Sequence, residues 1–199
     1  MRTEKIAAVL LAAGTSSRFG EEDKLMADLR GKPVVAHTLE TVASMAFAEL
    51  VAVTRPIELA PVIHRKLDRR GYTILVNDRP EEGMSGSIIR AVRHVMPDHR
   101  IRGILICLAD MPDVPPSHYN RICLAAEDTG SVIASTDGFS SSPPAFIGRQ
   151  HFPGLLALKG DHGARALLSR GIQIETTSAI LHDIDTPEDL AGSGPVTPG

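Results

Sequence analysis

The chain's first apolar run, residues 6–11, passes without a break into Leu11-Ala12-Ala13-Gly14-Thr15-Ser16-Ser17-Arg18-Phe19-Gly20, and Asp23-Lys24-Leu25 closes the segment. The run is short and apolar and reads as a buried strand. Small residues and two glycines then allow a tight turn and close approach of the backbone to a ligand. Two cations, Arg18 and Lys24, bracket the turn. A strand feeding a small-residue loop with embedded cations is how α/β folds hold a polyphosphate. The plain alternative is a glycine-rich strand-to-helix turn with two solvated cations.

Strand and helix signals alternate through the rest of the chain. Strands are predicted over 50–54, 72–76, 103–108, 131–135 and 172–176, with a short one over 144–147. The run 103–108 is continuously apolar, as in a central strand buried on both faces. Helices are predicted over 33–46, 57–70, 85–95, 115–127 and 164–169. Pro33 sits near a first turn, and Gly71 and Gly171 act as stops. Thr186-Pro187-Glu188-Asp189 reads as an N-cap, a first-turn proline and first-turn acids. The expected fold is therefore a single α/β domain over 1–191. It has three α/β/α layers and a mostly parallel, Rossmann-like sheet. The stretch 137–143 reads as a polar, mobile loop, and 192–199 as a disordered tail.

Composition narrows the function. The 199 residues carry a net charge of −3, which argues against a broad nucleic-acid face and makes any phosphate site local. Absence of Trp and scarcity of other aromatics leave little for base-stacking platforms. No apolar stretch is long enough to span a membrane, and the N-terminal run reads as a strand, not a signal peptide. Cys107 and Cys123 lack Cys-x-x-Cys spacing and read as reduced, buried thiols of a cytoplasmic protein. Without a long heptad pattern, a monomer is the default.

Ligands of open parallel sheets sit at the carboxyl ends of the strands. That gathers the loops 12–24, 77–87 and 109–113. Asp110 follows the most apolar strand, where a lone carboxylate suits Mg²⁺ beside a triphosphate; an Asp-x-Pro turn capping a backbone N–H is the alternative. Gly83-Met84-Ser85-Gly86-Ser87 with Asn77 forms a second small-residue loop before a helix. Asp185 lies just before the helix cap, favourable with the helix dipole. The eight histidines form no His-x-x-x-His zinc set, and no Gly-x-Ser-x-Gly elbow is present. There is no Walker loop and no Gly-x-Gly-x-x-Gly.

The pattern L-A-A-G-T-S-S-R-F-G-E-E-D-K-L resembles the signature of molybdenum cofactor nucleotidyltransferases, a group related to sugar-1-phosphate nucleotidylyltransferases. Four later runs follow in the family's order: the Asn77 and Gly83–Ser87 region; a strand ending in Asp110-Met111-Pro112; Pro143-Pro144-Ala145-Phe146 with Gly160-Asp161-His162-Gly163-Ala164-Arg165; and D-I-D-T-P-E-D-L from Asp183. The resemblance implies a nucleotide-diphospho-sugar transferase-like fold and transfer of CMP from CTP to a molybdopterin phosphate, with release of pyrophosphate. Nucleotide binding falls to Leu11, Ala12, Ala13, Gly14, Arg18, Lys24, Asn77, Gly83 and Ser87. Catalysis falls to Arg18, Lys24 and Asp110. Asp110 and Asp185 are the implied Mg²⁺ ligands; Asp185 is equally a pterin-side contact. Gly160, Asp161, Gly163 and Arg165 are the implied acceptor contacts, and a molybdenum enzyme is the implied client.

Ala13 and the G-D-x-G-A-R run resemble the cytidylyl branch; the Asp before Lys24, and Met111, resemble the guanylyl one. Guanylyl transfer, a redox enzyme on the same fold and a non-catalytic cofactor carrier are the rival readings.

Overall fold

The computed structural model describes residues 1–14, 19, 23–79, 83–158 and 162–192. Along the chain run β1 (Ile6–Ala12), β2 (Asp28–Leu29), β3 (Lys32–Pro33), α1 (Val34–Ala43), β4 (Glu49–Thr54), α2 (Pro61–Asp68), β5 (Thr73–Val76) and α3 (Gly83–Val95). They are followed by β6 (Gly103–Leu108), α4 (Pro116–Ala125), β7 (Val132–Thr136), β8 (Ser141–Gly148), α5 (Phe152–Leu156), α6 (His162–Leu168), β9 (Ile172–Glu175) and α7 (Pro187–Gly192).

Seven strands form one sheet in the order β5-β4-β1-β6-β8-β7-β9. All pairings are parallel except those of β8 with β6 and β7. β1 is buried along its whole length because it lies between β4 and β6 under helices on both faces. Its alternate residues feed two cores. Ile6, Ala8 and Leu10 pack with Val35 and Leu39 of α1, Ile63 and Leu67 of α2, and Tyr119 and Ile122 of α4. Ala7, Val9 and Leu11 pack with Ile88 and Val92 of α3, Phe152 and Leu155 of α5, and Leu168 of α6. The expected three-layer, mostly parallel architecture is present. Chain order runs from β1 outward to β4 and β5, then returns to β6 on the other side. The carboxyl ends of β1 and β6 therefore flank a topological switch point, where ligands of such sheets bind.

Several boundaries differ from expectation. β8 extends back to Ser141, so Ser141, Ser142 and Pro143 belong to a strand and not to a mobile loop. Backbone pairing of Ser142 with Ser135 and Ser141 with Thr136, beyond a register shift at Ala134/Ser135, overrides their polar composition. The Pro143–Pro144 peptide is cis. Helix α2 starts at Pro61 and not at residue 57, because a turn after Pro56 precedes it. α3 starts at Gly83, so the expected second small-residue loop is instead a helical first turn whose Ser85, Gly86 and Ser87 are buried. α7 reaches Gly192, one residue into the stretch assigned to a tail; residues 193–199 lie outside the described residues.

Candidate active site

Lys24 opens a single 3₁₀ turn, Lys24–Met26. Asp23 caps it, its carboxylate accepting from the N–H of Leu25 at 3.1 Å while its carbonyl accepts from Met26. The Lys24 side chain is 11% exposed. Its ammonium donates to Asp110 Oδ2 at 2.7 Å and to Asp185 Oδ1 at 2.6 Å.

Three local devices bring the carboxylates together. Asp110 follows directly on the carboxyl end of β6, within a turn after Leu108. The N–H of Ile184 donates to the carbonyl of Asp110 at 2.9 Å, tying the late segment 183–185 to the end of β6. Ile184 itself packs with Phe19, Leu29 and Val34 in a small core. Thr186 and Asp189 then cap α7 reciprocally: Asp189 N–H donates to Thr186 Oγ1 at 3.2 Å, and Thr186 N–H donates to Asp189 Oδ2 at 2.8 Å. Asp185 N–H joins the same oxygen at 3.1 Å, which fixes the backbone that presents its carboxylate to Lys24.

Electrostatics follow from the packing. Burial opposes charge on Lys24, but Asp110 and then Asp185 outweigh it and hold the pKa above its ordinary value. Asp183, beside them, has its pKa raised by burial first and then by the charges of Asp185 and Asp110. Three carboxylates thus gather about one ammonium. Among the described residues no three His, Cys, Asp or Glu side chains form a self-sufficient metal cage. Asp110 and Asp185, both oxygen donors already converging on one cation, fit a divalent ion that completes its shell with phosphate oxygens and water.

A cavity of about 970 Å³ opens beside this cluster. One wall comes from the loops after β1, β5 and β6: Leu11, Ala13 and Gly14; Asn77, Gly83 and Ser87; Leu108 and Asp110. The three predicted loops do meet. Asn77 is fully buried; its Nδ2 donates to Ser87 Oγ at 3.1 Å, and its Oδ1 accepts from the N–H of Arg79 at 3.0 Å. The opposite wall holds Asp137, Ser140, Ser141, Ser142 and Pro143 of the β7–β8 connection, with Arg165 and Ser169. Ser178, His182 and Asp183 close it.

Not every predicted residue lines this space. Ala12 is buried in the sheet, and Gly163 falls within α6. Lys24 and Asp185 reach the cavity's edge through Asp110. Arg18, Gly160 and Asp161 lie outside the described residues. The sequence reading missed Asp183, His182 and the start of β8. Asp183 was legible as the first acid of D-I-D-T-P, whereas Ser141 and Ser142 carry no signal beyond their place in a polar run.

The MobA-like NTP transferase domain family matches residues 8–176. The chain belongs to that family. It is a nucleotidyltransferase. It is 30% identical to the purine catabolism protein PucB of Bacillus subtilis (strain 168), over 95% of this chain and 96% of that one. It is 24% identical to a molybdenum cofactor guanylyltransferase of Shewanella frigidimarina, over 82% and 79%. The crystal structure of Rv0371c from Mycobacterium tuberculosis H37Rv superposes with a TM-score of 0.80 at 23% identity, over 96% of this chain and 97% of that one. A second crystal structure of Rv0371c, a complex with manganese, gives 0.74 at 24% identity over 95% and 97%.

Proposed function

We propose that this enzyme transfers CMP from CTP to the terminal phosphate of a molybdopterin-type acceptor. An acceptor phosphate oxygen bonds to the α-phosphorus, the bond from that phosphorus to the β-phosphate bridging oxygen breaks, and pyrophosphate leaves. The nucleophile is already anionic near neutral pH, so no side-chain base is needed. The work left to the protein is positioning and charge neutralisation.

The observation that carries this reading is the Lys24 ammonium, held between Asp110 and Asp185 at the edge of a cavity with two chemically different walls. Lys24 would neutralise charge at the α-phosphate and Arg18 would hold the β- and γ-phosphates. Asp110 and Asp185 would hold Mg²⁺. When bound, that ion offsets charge on the departing pyrophosphate. The manganese complex of Rv0371c supports a divalent ion in this fold. Leu11, Ala13, Gly14, Asn77, Gly83 and Ser87 would receive the nucleotide. Arg165, with the Ser140–Ser142 wall, would receive the acceptor, and Gly160, Asp161 and Gly163 would be its further contacts. Two free, buried thiols, Cys107 and Cys123, are consistent with a cytoplasmic setting. No helix among the described residues is long and apolar enough to cross a membrane.

GTP is the second reading, favoured by the guanylyltransferase relative and by Asp23 before Lys24. The test is pyrophosphate release with Mg²⁺ and molybdopterin, comparing CTP, GTP and ATP, on wild type and Asp110→Ala. Release with CTP, lost in the variant, is expected. Preference for GTP moves the protein to guanylyl transfer with the same mechanism. No release with any triphosphate overturns molybdopterin nucleotidyl transfer.

A further inference from the structure

Lys24 carries its charge on a flexible four-carbon stem. Aiming it at one point requires that the turn from which it springs be fixed. That turn hydrogen-bonds to the rest of the sheet through a neighbour in sequence. Asp23, immediately before Lys24, uses one carboxylate oxygen to cap the turn at Leu25 N–H. Its other oxygen accepts from Nη2 of Arg55. Both partners are largely shielded, with side chains 20% and 14% exposed, so the bond is a desolvated, charge-assisted one.

Arg55 follows the last residue of β4, the strand that pairs with β1. Its backbone is pinned. The carbonyl of Arg55 accepts from Thr54 Oγ1 at 2.9 Å and from Nε2–H of His64 in α2, also at 2.9 Å. His64 is buried and lies 2.9 Å from Thr54 Oγ1 as well. Among the described residues, Nε–H of Arg55 is buried without a hydrogen-bond partner. An unsatisfied donor is destabilising, so packing and the Asp23 bond hold the guanidinium where it is. A continuous chain of contacts thus runs from α2 through the end of β4 to Asp23, and from Asp23 to the turn that carries Lys24.

We propose that Asp23 and Arg55 are a positioning pair that anchors the Lys24 turn to the end of β4 and thereby sets the Lys24 ammonium between Asp110 and Asp185. Neither needs to touch substrate. The effect on turnover rests on the nucleotidyl-transfer reading above; the effect on Lys24 itself does not. Misplacing a reacting group by about 1 Å costs on the order of a hundredfold in rate.

The experiment compares wild type with Asp23→Asn, Arg55→Met, Arg55→Lys and the Asp23→Asn/Arg55→Met double variant. Two readouts are used: steady-state pyrophosphate release, and the rate at which Lys24 is acetylated by an amine-reactive ester, normalised to exposed Lys5 by mass spectrometry. Asp23→Asn and Arg55→Met are each expected to lose about tenfold or more in kcat, with the nucleotide KM within about threefold of wild type. Lys24 acetylation should quicken in both. Arg55→Lys should regain part of each loss, and the double variant should be no worse than the worse single one. Unchanged Lys24 acetylation in Arg55→Met overturns the proposal. So do losses that multiply in the double variant, or a raised KM at unchanged kcat, which would put Arg55 on the nucleotide. If Asp23→Asn fails to fold, the Arg55→Met and Arg55→Lys comparison decides. If the wild type releases no pyrophosphate with any triphosphate, the reading above fails, and Lys24 acetylation alone decides the pair.

Discussion

The ammonium of Lys24 stands 2.7 Å from Asp110 and 2.6 Å from Asp185, so one cation from the first loop joins the end of a central strand to a segment near the end of the chain. Replacing Asp110 by Asn removes the larger of the two carboxylate influences that raise the Lys24 pKa, which should fall. It also removes a proposed metal ligand. Turnover should drop by about two decades, the usual worth of one preorganised charge, and Lys24→Met should do the same. Pyrophosphate release at saturating nucleotide is the measurement; activity within about threefold of wild type in both variants would remove them from the chemistry.

Asn77 links the loop after β5 to α3 through Ser87 and holds the N–H of Arg79. Asn77→Ala strands the buried Ser87 hydroxyl and frees that N–H. The expected loss is about 1–3 kcal/mol in stability, read from urea denaturation. If this loop meets the nucleotide as proposed, KM for the triphosphate should rise more than kcat falls.

Ser135 Oγ donates to the carbonyl of Pro144 at 2.7 Å, so it accepts from Nε2–H of His118 at 2.8 Å. The other ring nitrogen, Nδ1, is buried without a partner among the described residues, and a proton there would find no acceptor among them. Burial first, and the charge of Arg121 second, lower the His118 pKa from 6.5. Below 6.5 the unfolded chain therefore binds the proton that the folded chain resists, and stability rises with pH across that window. His118 costs no stability above 6.5 and destabilises as pH falls through 6.5 toward the lower folded value. Urea midpoints measured on either side of 6.5 should show this slope, and His118→Gln should flatten it. An identical slope in the variant would place the titration elsewhere.

At Gly148, the last residue of β8, an added Cβ would lie 2.2 Å from the carbonyl oxygen of Thr129. The obstacle is backbone and cannot rotate away. Gly148→Ala should destabilise by about 1–3 kcal/mol, seen as a lowered Tm, while Gly154→Ala, with open space around it, should not pass through this mechanism. Equal Tm values for the two variants would contradict the close approach.

What the sequence revealed follows from the kind of signal each element carries. Strands such as β6 show as unbroken apolar runs because helices cover both faces. Asp110 was legible because a carboxylate at the end of such a strand has few structural uses. β8 was only half legible. Its outer half reads Ser141-Ser142-Pro143, and polar residues are paired there by neighbours that no local pattern announces. The Asp23–Arg55 contact was not legible at all, because parallel pairing of β1 with β4 is what brings Arg55 near the first loop. Helix α5 escaped because five residues around Pro153 and Gly154 hold too little periodicity to register.

The reversal of β8 separates the two walls of the cavity in a way that matters for how such an enzyme diversifies. β1, β5 and β6 all deliver their carboxyl ends to one wall, and altering them disturbs the central sheet. The facing wall is furnished by the beginning of an antiparallel strand, a hairpin connection and a short helix at the sheet's far side. Changes there leave the parallel half intact, so if the acceptor sits on that wall as proposed, its identity can drift while the wall proposed for the triphosphate stays as it is.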